Sequence, residues 1–159
     1  MIRAPREPMT ARERRRLFGA ISLGLTTLIC TYVILTIMRS IRDDFAVEIW
    51  RDLGEPEKPA VFAQSELAVM IGVLVVSSLA VFISDNRSAL RMALVTVTAG
   101  FFVIILAVIG YQNRWLDSFG FMVVSGLGMY VPYVTFHTTI FERIIAVFRH
   151  KSNIGYLMY

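Results

Sequence analysis

Apolar residues gather into four long runs, at about residues 17–39, 60–83, 90–111 and 119–141, and polar residues concentrate in the links between them. Each run approaches or exceeds the roughly 20 residues a helix needs to cross the hydrocarbon core of a bilayer. The pattern predicts an all-α polytopic membrane protein with four transmembrane helices. After Arg149, His150 and Lys151 a new segment, SNIGYLMY, reads as the start of a fifth. Residues 1–16 form a basic segment ahead of a transmembrane domain over 17–159. The run from Leu17 to Met38 is too long for the core of a signal peptide and lacks a small-residue cleavage site. Nothing after Tyr159 lets the last segment reach spanning length, so the chain is expected to be a piece of a longer helical bundle.

The connection from Arg39 to Pro59 is charged, RSIRDDFAVEIWRDLGEPEKP. Within it Ile41, Phe45, Ile49 and Leu53 recur every four residues. This predicts a short amphipathic helix on the membrane face, stopped by Gly54 and Pro56, with Trp50 at the interface. Trp115, in the last link, is a candidate interfacial anchor.

Composition supports the bilayer reading. The 159 residues are 56% hydrophobic and 18% charged, with mean hydropathy +0.62, whereas soluble domains carry about 25% charged residues. The net charge of +4 and pI near 9.6 invite a nucleic-acid reading. The bases, however, sit at the ends of apolar runs, as membrane orientation requires, so no nucleic-acid partner is expected. The partners expected are the lipid bilayer and either the missing helices of a longer chain or a partner membrane subunit. The single cysteine, Cys30, forms no internal disulfide, and His137 and His150 lie apart from it and from each other. No metal site, phosphate loop or catalytic motif is present. No cofactor and no enzymatic activity are expected.

Orientation follows from the bases. Arg3, Arg6, Arg12, Arg14, Arg15 and Arg16 precede the first run. Arg87 and Arg91 flank the Asp85–Arg91 turn, and Arg143, Arg149 and Lys151 follow the fourth run. The link between the third and fourth runs carries only Arg114, and in the long first link acids outnumber bases. The excess of Lys and Arg places the N-terminus and the alternate links in the cytoplasm.

Polar residues inside the spans are the candidates for function. Gly126, Tyr130, Tyr133 and His137 share one helix face, which should meet other helices or a wet cavity because lipid offers such a stripe nothing. They could line a substrate path, with His137 titrating near neutral pH, or act as helix–helix glue. Glu66 falls about 9 Å below the outer boundary at 1.5 Å per residue. A carboxylate there must be paired, wet or protonated. It is either a coupling or substrate-contacting acid, or the ion-pair partner of Arg39 or Arg42. Arg39, Arg42, Asp43 and Asp44 form either an outer gate or a solvated helix end. Glu142 and Arg143 are an anchoring pair or an inner gate. Ser22, Thr26 and Cys30 form a small-residue stripe expected to pack. Pro132 should kink the last span and free a carbonyl.

Several stretches occur together in order: RSIRDDFAVEIWRDLG, PAVFAQSELAV, ISDNRSALRMAL, GLGMYVPYV and FERIIAVFR. Over Thr10 to Tyr159 they resemble the second half of an uncharacterised bacterial membrane-protein family of major facilitator type. The resemblance implies helices seven to ten of a twelve-helix transporter plus the start of the eleventh, in the inner membrane. It also implies alternating access on an unknown small-molecule substrate. The family carries an amide at the position of His137 and a proline at that of Thr135, both different here. The turn with Asp85, Arg87 and Arg91 resembles the major-facilitator motif in which an aspartate and arginines clamp helix ends, without that motif's glycines. The alternative expectation is a structural or signalling membrane subunit that transports nothing.

Overall fold

The computed structural model describes residues 11–55, 59–80, 82–83, 85–140 and 142, with no strand among them. Helix α1 spans Ala11–Asp44, α2 Ala46–Asp52, α3 Pro59–Ala80, α4 Asn86–Gln112 and α5 Ser118–Thr135, and a π-helical segment, Phe136–Ile140, continues α5. Four stretches are long and apolar enough to cross a membrane: Ser22–Asp44, Ala60–Ala80, Asn86–Gln112 and Ser118–Ile140. The protein is an all-α polytopic membrane protein. Arg143 and the expected start of a fifth helix lie outside the described residues.

The first link departs from expectation. α1 does not stop near Arg39 but runs on to Asp44, because Arg39 and Asp43 pair one turn apart along it. The amphipathic helix expected over Ile41 to Leu53 is therefore split at Phe45. Ile41 and Phe45 are exposed, and only the short α2 remains of it. Trp50, expected at the interface, is buried and stacked on Phe62 with ring centroids 5.5 Å apart. Ser118 Oγ donates to the Leu53 carbonyl at 2.9 Å, so α2 closes over the starts of α3 and α5.

Helix ends follow local chemistry. After α2, the Glu55 N–H reaches the Trp50 carbonyl and the Gly54 N–H the Arg51 carbonyl, with Gly54 at φ +79°. This paired closure needs a left-handed residue, which glycine supplies without a Cβ clash. α4 ends in the same way with Arg114 in that position at φ 60°, and the Trp115 N–H bonds the Gly110 carbonyl at 2.8 Å. Asp85 caps α4 and Asp117 caps α5, each accepting from a backbone N–H three residues on.

α5 is the hub on which α1, α3 and α4 pack. Against α4 it meets a row of mostly small buried residues: Ala89, Ala93, Val97, Gly100, Ile104, Ala107 and Gly110. The closest approach is at Gly100 and Gly128. A Cβ on Gly100 would overlap Pro132 Cγ and stand 2.8 Å from the Gly128 carbonyl oxygen, and one on Gly128 would stand 2.9 Å from the Gly100 oxygen. Pro132 has no N–H to give the Gly128 carbonyl, and that oxygen faces α4 at Gly100, where the missing Cβ leaves it room. Phe136 and Ile140 of the π-helical segment complete a core with Leu35 of α1 and Ala93 and Val97 of α4. The outer faces carry exposed Ile29, Ile37, Leu74, Phe102 and Leu106, suited to lipid. Thr26 and Cys30 are also exposed, so the expected small-residue stripe does not pack among the described residues.

This crossing gives a clear expectation. Gly100→Ala should force α4 and α5 apart and cost about 1–3 kcal/mol, read as a lower unfolding temperature in detergent. Gly24→Ala, where a Cβ meets nothing within 4 Å, should leave it unchanged or raised.

Candidate functional site

On α1, Leu28, Tyr32, Leu35, Arg39 and Arg42 recur at alternating steps of four and three, which places them on one face toward α5. The facing side of α5 is the stripe of Gly126, Tyr130, Tyr133 and His137. The two faces meet residue by residue. Gly126 sits against Arg42, where a Cβ would come within 2.9 Å of Nη2 and 2.7 Å of Val69 Cγ2. Only glycine leaves room for the guanidinium there.

Arg42 is 4% exposed and ties three helices together. Its Nη2 donates to Glu66 Oε1 of α3 at 2.8 Å and to the Met122 carbonyl of α5 at 3.2 Å, and its Nη1 stands 3.9 Å from Asp43 Oδ1. Of the two expected partners for Glu66, the structure selects Arg42. Asp43 is shared: Arg39 Nη1 bonds its Oδ2 at 2.9 Å, and the Tyr130 hydroxyl donates to its Oδ1. Arg39 also lies over the Tyr133 ring at 4.7 Å, and Arg42 over Tyr130 at 5.7 Å. These are cation–π contacts, which strengthen when water is excluded.

Further along the seam Tyr32 stacks on Tyr133 at 6.1 Å, and its hydroxyl shares a 2.9 Å hydrogen bond with His137 Nε2. Tyr133 and His137 meet edge to face at 4.7 Å. Tyr32 and the Met122 carbonyl were not among the expected site residues. The heptad-like spacing from Leu28 to Arg42 was the signal for Tyr32. A backbone acceptor leaves no such mark.

Charge explains the assembly. A charged side chain deep in a bilayer costs about 2.5–3.5 kcal/mol even on the mildest scales, and arginine does not lose its proton. Two arginines met by Asp43 and Glu66 make a neutral group. The balance is incomplete in one respect: Arg39 Nε and Arg42 Nε are buried with no hydrogen-bond partner among the described residues. Each such donor costs about 1–3 kcal/mol unless something satisfies it. Half of the Glu66 side chain, 48%, remains exposed, so that end of the network is open.

The other candidates are not brought here. Asp44 is exposed and forms no ion pair among the described residues, as the solvated-helix-end alternative has it. It follows Asp43 by one position, which turns it to another side of α1. Glu142 is exposed. Asp85 does not clamp Arg87 or Arg91 in an ion pair among the described residues. It caps α4 through the Ser88 N–H at 2.8 Å, and Arg91 reaches the Ser88 hydroxyl at 3.3 Å. The Ser88 hydrogen bonds hold the Asp85 carboxyl below its ordinary value of 3.8.

Two outcomes follow. In a double-mutant cycle, Arg42→Gln and Glu66→Gln should show a coupling of about 0.5–3 kcal/mol in detergent unfolding. Arg42→Gln should lose more, because it strands Glu66 and frees α1 from α3 and α5. For Asp85, the stabilisation is complete above the unfolded value near 3.8 and disappears as pH falls through the lower folded value. Asp85→Asn keeps an acceptor oxygen but should abolish that acid-side loss in a pH series of unfolding temperatures.

A family model, described as a family of unknown function (DUF5690), matches residues 1–159. No curated protein and no solved structure matches the chain.

Proposed function

The chain belongs to the DUF5690 family, and we propose that it is the membrane-embedded part of a secondary transporter of major facilitator type, working by alternating access. One observation carries this reading: the charged groups of α1 and α3 and the polar groups of α5 converge inside membrane-spanning segments around a half-exposed Glu66. Intramembrane ionisable residues that face a bundle interior commonly belong to substrate or ion pathways.

In this mechanism Glu66 is the coupling acid. Ionised, it holds α3 to α1 through Arg42. On taking up a proton it releases its share of the guanidinium and loosens that link, so protonation and helix movement are tied. His137, Tyr130 and Tyr133 line the path beside it, and Arg39, Arg42 and Asp43 form the gate. The positive-inside rule puts the N-terminus in the cytoplasm and this network in the outer half of a bacterial inner membrane. The same ion pairs, closed on themselves within one chain, would serve a static structural subunit equally, so the test concerns movement.

His137→Cys in a Cys30→Ser background gives a reporter on the seam. Alternating access predicts modification by a membrane-impermeant thiol reagent from both sides of the membrane. It also predicts that Glu66→Gln shifts the ratio of the two rates several-fold. Modification from one side only, unaffected by Glu66→Gln, would establish the static reading instead.

A further inference from the structure

A second polar feature lies away from the arginines, in a cavity of about 160 Å³ between the C-terminal half of α3, the first half of α4 and the π-helical segment. From Glu66 to Ser77 is about 16 Å along α3 at 1.5 Å per residue, so the two features sit at different depths. Ser77, Thr96, Thr135, Thr138 and Thr139 stand among the residues of its otherwise apolar wall.

The state of these hydroxyls defines what the cavity can hold. Thr135 Oγ1 donates to the Val131 carbonyl at 2.7 Å and Thr138 Oγ1 to the Val134 carbonyl at 2.9 Å. Their protons are used, and what remains is lone pairs. Ser77 and Thr96 have no hydrogen-bond partner among the described residues, although Ser78 and Thr98 beside them bond back to the carbonyls of Leu74 and Leu94 at 2.7 and 2.9 Å. A hydroxyl at membrane depth normally takes that local bond. Among the described residues no charged side chain and no side-chain N–H lines the cavity. Its wall therefore offers oxygen acceptors in excess of donors.

We propose that this cavity binds a monovalent alkali cation, sodium or potassium, through the hydroxyl oxygens of Ser77, Thr96 and Thr139, with those of Thr135 and Thr138 in support. Among the described residues no carboxylate lines the cavity to offset the dehydration of a divalent ion, which disfavours calcium and magnesium. The volume admits one alkali ion with a few waters. The π-helical segment adds to the case, since π-helical turns gather at functional sites and interrupted membrane helices supply carbonyl oxygens to such ions. The site is independent of the transport reading and stands whether or not the chain moves a substrate.

The test uses the purified full chain in detergent. Unfolding temperatures are compared in sodium, potassium and N-methyl-D-glucamine chloride at equal ionic strength. A saturable rise of a few degrees in one alkali salt over N-methyl-D-glucamine is expected, and the larger rise identifies the ion. Ser77→Ala and Thr96→Val, which remove a hydroxyl with little change of shape, should abolish the rise without changing the value in N-methyl-D-glucamine. Equal temperatures in all three salts, or a rise that survives both substitutions, would overturn the proposal. Direct binding of radioactive sodium or rubidium to the unmodified chain decides the matter if either variant fails to fold, absence of binding counting against the site.

Discussion

A guanidinium that cannot shed its charge is buried in a membrane-spanning helix, and much of the structure answers to it. Arg42 is 4% exposed, so its partners have to come to it. Glu66 arrives from α3, the Met122 carbonyl from α5, and Asp43 from the same helix. Gly126 is the space that lets α5 approach this closely. Lipid offers no competing water, so breaking one contact strands a charge rather than rehydrating it. Position and identity are thus coupled: the arginine fixes where α3 and α5 stand relative to the end of α1, and those helices determine which carboxylates neutralise it.

The two main seams of the bundle differ in kind. α4 meets α5 through glycines and alanines at close range, with the Gly128 carbonyl, freed by Pro132, lying on Gly100. Such packing gains its energy from shape, because hydrocarbon on both sides of a helix provides no hydrophobic drive. α1 meets α5 through rings, guanidinium groups and hydroxyls, from Arg42 at Gly126 to Tyr32 at His137. Pro132 stands near the boundary of these regimes, and shortly beyond it α5 widens into the π-helical segment that carries Phe136 and Ile140 into the core.

Much of this was legible from residue order. Four apolar runs gave four long helices, because length and hydrophobicity alone decide whether a helix suits a bilayer. The stripe from Gly126 to His137 announced a partnered face, since 3.6-residue periodicity is a property of the chain itself. The course of Arg39 to Asp44 was harder. Arginines and aspartates in a row look like a link, and only their mutual neutralisation, with Glu66 brought from another helix, lets them continue α1. Asp85 shows the opposite error of scale: read as one end of an ion-pair clamp, it serves its own helix as a cap. The π-helical segment left no signal, because it arises from how α5 leaves Pro132 and packs on α4, not from a residue type. Trp50 was read at the interface because indole favours it, and its stacking on Phe62 left no mark in the residue order.

The contrast between the seams bears on how the bundle can move. Separating α4 from α5 would uncover the Gly128 oxygen, which Pro132 leaves without its helical N–H, to lipid that offers no donor. Separating α1 from α5 exposes hydroxyls, an imidazole and paired charges, which water entering a cleft satisfies at once. The first seam is therefore the stiffer under strain, and α4 with α5 forms a unit against which α1 can shift when its polar partners exchange. Glu66 stands half outside the network, bonded to its most buried cation. In the proposed mechanism a proton on its exposed oxygen weakens the link of α1 to α3 and leaves the α4–α5 contact untouched, because that contact contains no ionisable group.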